Sequence, residues 1–268
     1  MAQLSVNELT TYRWTFEQDV GRYREAGIPA MGVWRQKVSD CGEERAISLL
    51  NESGLQVSNL LWAGGFTGSD GRTFRDSVDD ALDAISLARR LSAECVVVYS
   101  GGRSGHTHNH ARRLLCSAMQ ELLPAARASG IKLALEPMHE ACATEFTFLT
   151  DIDSLLEMLD QVGADDLSVV YDTYQLGFDE QAISRIQQIA DRIAIVHLGD
   201  AQQPPDGEQN RCQLGQGNLP LEETVSALLE AGFDGYFDVE LIGEAVEDSD
   251  YETLLTSSRD YVKRLLAN

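Results

Sequence analysis

Eight times from end to end the chain repeats one unit, a short apolar run followed by a longer stretch with apolar residues at helical spacing. Short, nearly continuous apolar runs suit parallel strands buried on both faces. Each amphipathic stretch between them supplies the crossover that parallel pairing needs. The pattern predicts strands at 3–7, 30–34, 56–61, 95–100, 132–136, 168–172, 194–197 and 235–240. Helices are predicted at 16–26, 42–52, 74–91, 111–129, 152–161, 180–189, 221–230 and 251–266. Gly27, Gly54, Gly130, Gly163 and Gly232 follow five of these helices and suit a left-handed cap. Eight such units in 268 residues predict one closed (β/α)8 TIM barrel spanning 1–268. A doubly wound open sheet would carry fewer strands and a glycine-rich turn after the first. Here the first strand is followed by Glu8-Leu9-Thr10-Thr11. No linker or change of composition divides the chain.

Composition excludes several classes of partner. Lys and Arg total 21 against 43 Asp and Glu, a formal net charge of −22. Such a surface repels phosphate backbones and anionic lipid, so neither nucleic acid nor a membrane is an expected partner. No apolar run approaches the ~18 residues of a membrane span. Met1-Ala2-Gln3-Leu4 shows no secretory pattern. Cys41, Cys95, Cys116, Cys142 and Cys212 form no C-x-x-C pair, so neither a zinc knuckle nor a disulfide framework is indicated. A reducing cytoplasm is the expectation; self-association into a homo-oligomer is left open.

Barrels of this kind place chemistry where strands end, at their C-terminal mouth. Four successive predicted strands, the fifth to the eighth, end in Glu136, Asp172, His197 and Glu240. Any one of them alone is what a strand looks like on reaching solvent. All four together, in a chain with five histidines, point to a metal site. Three carboxylates and an imidazole suit one divalent ion, Mn, Mg, Co or Zn. Trp34, Trp62 and Phe66 also fall at strand ends, where rings either pack the barrel top or stack on a sugar's C–H face. His106, His108 and His110 follow the fourth strand. Extended, they could chelate a second metal; the favoured role is loop or helix start, with Thr107 or Asn109 as the cap.

Several motifs stand at matching places. They are Gly32-Val33-Trp34-Arg35, Gly64-Gly65-Phe66-Thr67, Leu135-Glu136-Pro137-Met138-His139, Asp172-Thr173-Tyr174-Gln175, His197-Leu198-Gly199-Asp200 and the late Glu240. In order and spacing the chain resembles the xylose-isomerase-like barrels, the sugar phosphate isomerase/epimerase group, over nearly its whole length. The resemblance implies one divalent metal held by Glu136, Asp172, His197 and Glu240. It implies substrate contacts for His139 and for Arg211, which otherwise read as a loop histidine and a solvated loop cation. Many members carry histidine where this chain has Gln175, which implies a substrate contact by a side chain able to hydrogen-bond a hydroxyl or carbonyl but unable to transfer a proton at neutral pH.

A metal between Glu136 and Glu240 suggests proton exchange through an enediolate, one carboxylate taking the proton and the other returning it. The expected activity is that of a metal-dependent isomerase or epimerase of a small sugar, keto-sugar or cyclitol. An inosose-dehydratase-like lyase on a similar polyol is one alternative, and a non-catalytic sugar-binding barrel is another. A nuclease would want a basic groove, and the charge argues against it.

Overall fold

Val96, Val97 and Val98 stand in succession, and a short β-branched run of this kind favours the extended chain. In the computed structural model, which describes residues 2–206 and 209–267, they form the centre of a strand buried on both faces. The strands are β1 (Gln3–Asn7), β2 (Ala30–Trp34), β3 (Gln56–Gly64), β4 (Cys95–Tyr99), β5 (Lys132–Leu135), β6 (Leu167–Asp172), β7 (Ile193–Leu198) and β8 (Tyr236–Val239). Each pairs in parallel with the next, and β8 returns to β1, closing the barrel. The predicted (β/α)8 architecture is therefore present.

Alternation along each strand sorts side chains between two cores. Val96 and Val98 face outward into a large cluster shared with the helices, whereas Cys95 and Val97 face inward. The inward set also holds Ala30, Leu61, Ala134, Val170, Ile195 and Tyr236, so the barrel centre is filled with side chains. The outer layer comprises α1 (Phe16–Glu25), α2 (Arg35–Cys41), α3 (Glu43–Ser53), α4 (Phe74–Leu91), α5 (His108–Ser129) and α6 (Ile152–Val162). It continues with α7 (Thr173–Leu176), α8 (Ala182–Ile189), α9 (Leu221–Glu230), α10 (Glu244–Glu247) and α11 (Tyr251–Leu265). Thr15, Thr73 and Asp151 start α1, α4 and α6 with reciprocal capping boxes. Gly54, Gly130 and Gly163 end α3, α5 and α6 in the left-handed conformation. No helix of the described residues is long and apolar enough to cross a membrane.

The differences from the predicted elements lie at the mouth. β3 runs on to Gly64 instead of stopping at 61, and the short α2 follows β2 directly. α5 begins at His108, because the Thr107 side chain accepts the His110 N–H and caps it. That settles the choice between Thr107 and Asn109 as the cap. Asp172 ends β6 and caps α7 itself.

Candidate active site at the strand ends

Inward direction repeats every second residue, so the inner-core residues Ala134, Val170 and Ile195 place Glu136, Asp172 and His197 on the same interior face. Asp238 and Glu240 follow Tyr236 inward in the same way. Glu136 lies one residue past β5 and Glu240 one past β8. Their N–H groups still donate to the Val98 and Leu198 carbonyls, which fixes both side chains over the barrel. All four predicted ligands are buried. Glu136, Asp172 and His197 bring ligand atoms within 4.8 Å of one another. Glu240 stands outside that set, but its Oε2 is 3.2 Å from His197 Nδ1, with Glu136 Oε1 at 3.5 Å from the same nitrogen.

Arg211 explains the offset of Glu240. Its guanidinium Nη2 reaches Asp172 Oδ2 at 2.9 Å and Glu240 Oε1 at 3.0 Å, and its plane lies over the Tyr174 ring at 4.6 Å. The residue is only 2% exposed, so it is no solvated loop cation. The loop that carries it is pinned at the Arg211 N–H, which donates to the Ile242 carbonyl at 2.8 Å.

Three acids and two bases buried this close together perturb one another strongly. Burial alone would push the His197 imidazole down, but the Glu240, Glu136 and Asp238 carboxylates outweigh it and lift the imidazolium to about 10. Burial raises Glu240 to about 7, with Arg211 and His197 opposing that rise and Asp172 and Glu136 adding to it. His197 Nδ1 and Nε2 and Glu240 Oε2 are buried with no hydrogen-bond partner. An imidazole nitrogen and a carboxylate oxygen orphaned side by side, next to two further carboxylates, are a donor set that fits a divalent cation.

The other predicted residues divide. Gln175 is buried, and its carbonyl oxygen accepts the His139 N–H at 2.9 Å and contacts Cys142 Sγ at 3.7 Å. It thereby clasps the loop after β5. His139 caps the turn Glu140–Cys142, with Nδ1 accepting the Ala141 N–H at 3.2 Å. Trp34 and Trp62 are half-buried at the mouth; Trp34 stacks on Tyr12, and Arg35 donates to the Trp62 carbonyl. Phe66 is not on that rim. It is fully buried in the cluster between strands and helices, because the chain turns at Gly64 and Gly65 before reaching it. His106 and His110 lie with ring centroids 4.7 Å apart, and His106 Nε2 is 3.2 Å from the Thr67 carbonyl. His108 opens α5.

A model of the xylose isomerase-like TIM barrel matches residues 20–265. The chain belongs to that family. Inosose isomerase of Bacillus velezensis is 25% identical over 181 residues, 66% of this chain and 63% of that protein. The chain thus spans less than two-thirds of the length of curated relatives such as this one. A Sinorhizobium meliloti 1021 protein has the same fold, with a TM-score of 0.90, 24% identity and 98% of each chain covered. The IolI protein, solved with a bound zinc atom, superposes with a TM-score of 0.86 at 19% identity, covering 99% of this chain and 98% of its own.

Two further residues pack into this cluster of the xylose isomerase-like barrel without a signal of their own in the sequence. Tyr174, beneath Arg211, stands next to Gln175 in the same motif. Asp238 lies two residues before Glu240, and strand alternation alone places it on the interior face.

Proposed function

We propose that this protein is a metal-dependent isomerase or epimerase of a sugar, keto-sugar or cyclitol, in which Glu136 and Glu240 exchange a substrate proton. The observation that carries the reading is the approach of both carboxylates to one imidazole nitrogen, Glu136 at 3.5 Å and Glu240 at 3.2 Å from His197 Nδ1. A divalent ion held by Glu136, Asp172, His197 and Glu240 would, when bound, polarise a carbonyl and its neighbouring hydroxyl and acidify the adjacent C–H. One glutamate then takes that proton and the other returns it. Return to a different carbon isomerises the substrate; return to the opposite face epimerises it. Arg211 offers a fixed fork of donors to substrate oxygens. Trp34 and Trp62 present rings to the C–H face of a sugar. Gln175 acts on substrate through the loop it clasps, by setting where His139 stands. The inosose isomerase relative supports a polyhydroxy ketone as substrate, and the zinc in IolI supports a divalent ion.

Glu240→Gln is the test. With metal at saturation it should keep the fold and lower turnover ~10²-fold or more, the usual worth of a positioned acid or base. Solvent deuterium entering recovered substrate reads the same step directly. If metal-loaded wild-type protein exchanges no proton on a panel of keto-sugars and cyclitols, the isomerase reading fails. Water loss on that panel would then identify a dehydratase, and binding without turnover a sugar-binding barrel.

A further inference from the structure

Below the four strand-end side chains, the barrel interior carries a polar layer with no part in the proton exchange just described. Asn7 from β1, Asn59 from β3 and Asp238 from β8 meet there, all fully buried. Asn7 Nδ2 and Asn59 Nδ2 each donate to Asp238 Oδ2 at 2.8 Å. β2 contributes only space. A Cβ on Gly32 would stand 2.4 Å from Asp238 Oδ2 and 2.7 Å from Asn7 Nδ2, so any larger residue would displace the carboxylate.

Two neutral amides satisfy one oxygen of this buried charge, and Asp238 Oδ1 has no hydrogen-bond partner. A carboxylate left in that state is expensive unless a positive or donor group stands near it. His197 does so. Its Nε2, also without a partner, lies 4.0 Å from Asp238 Oδ2, while Nδ1 on the other side of the ring faces Glu136 and Glu240. The separation is too long for a hydrogen bond, but charge acts across it far more strongly here than in water. Ligating histidines depend on an acceptor at the nitrogen that does not hold the metal.

We propose that Asp238, held by Asn7 and Asn59 in the space left by Gly32, is a positioning residue that orients the His197 ring with Nε2–H toward the barrel interior and Nδ1 toward Glu136 and Glu240, the carboxylates that would share a metal with it. The inference rests on the metal reading above for its consequence, though not for the contact itself. The pair is independent of which sugar is bound.

Asp238→Asn keeps the size of the side chain and an oxygen for the two amides, and removes the charge. Two measurements on the 268-residue chain separate positioning from scaffolding. In metal-free protein, the buried His197 Nε2–H proton should appear by NMR as a slowly exchanging resonance, identified by its loss in His197→Asn. Asp238→Asn should move it upfield and speed its exchange. In calorimetric titrations with Mn²⁺ and with Zn²⁺, the same variant should bind ~10- to 100-fold more weakly, the usual effect of losing such a partner. A folded Asp238→Asn protein with the wild-type resonance and wild-type metal affinity overturns the proposal. If wild-type protein takes up neither ion, the metal reading fails, and the resonance still decides whether Asp238 governs the ring. Should Asp238→Asn not fold, Gly32→Ala displaces the carboxylate without removing it, and an unchanged Nε2–H resonance there overturns the proposal equally.

Discussion

Glu8 is a buried carboxyl without a full set of partners. Its Oε2 accepts the Trp34 N–H at 2.7 Å, and Oε1 has no partner. Lys37, buried nearby, points its ammonium at Asp19 Oδ2 (2.6 Å) and at the Glu8 and Thr11 carbonyls. Burial lifts the Glu8 carboxyl well above its ordinary 4.5; the Asp19 charge adds to this and Lys37 opposes it. A group whose folded value is raised holds its proton longer in the native than in the unfolded chain. Its stabilisation is fully present below 4.5 and is lost as pH rises through the folded value. Glu8→Gln, neutral at every pH and able to donate to Asp19, should therefore flatten the fall in stability above pH ~5. Thermal melts of both proteins across that range check it, and parallel curves would refute it.

At the level of elements, the long loop after β7 folds back around the Asp200 side chain. Asp200 Oδ2 accepts the Gly215 and Gly217 N–H groups at 2.8 and 3.0 Å, and Oδ1 accepts Ala201 N–H at 2.9 Å. The fit is close: a Cβ on Gly217 would stand 2.0 Å from Asp200 Oδ1. Asp200 and Cys212 also form an isolated antiparallel bridge, one residue beyond Arg211. Asp200→Ala takes the acceptor away from these N–H groups, of which that of Ala201 is buried, at a cost of about 1–3 kcal/mol. The larger effect should fall on Arg211, whose grip on Asp172 and Glu240 depends on that loop. We expect faster proteolysis within residues 201–220 and a raised KM, with metal affinity nearly unchanged. A loss of metal affinity equal to the loss of substrate affinity would contradict this division of labour.

The whole molecule carries its charge unevenly in sign, with a formal net charge of −22. Surface pairs such as Arg22–Glu252 and Arg75–Glu121 join distant parts of the chain, but exposed pairs of this kind contribute little to stability. The unpaired acidic excess remains, and its self-repulsion favours unfolding. Screening shortens from ~30 Å at 0.01 M salt to ~10 Å at 0.1 M. Added NaCl should therefore raise Tm, since repulsion over the whole surface loses more than the exposed pairs do. A Tm that falls with salt would mean that the ion pairs outweigh the net charge.

Local order was legible from the chain alone. Strands, helices and glycine caps are read from periodicity because alternation and helical spacing are properties of neighbouring residues. The strand ends read in this way brought Glu136, Asp172, His197 and Glu240 to one rim of the barrel. Which atoms then meet is another matter, since it depends on barrel closure and loop packing between segments far apart. Asn7 and Asp238 are 231 residues apart, and Asp172 and Arg211 are 39 apart. Closure of β8 against β1 made the first pair, and the pinned loop after β7 made the second. Tertiary structure also took Phe66 from the mouth into the core, where more apolar surface is covered. It turned the Gln175 carbonyl to the His139 N–H, an otherwise unpaired donor at the start of a turn. Spacing along a chain carries direction; distance across a barrel comes only when the sheet closes.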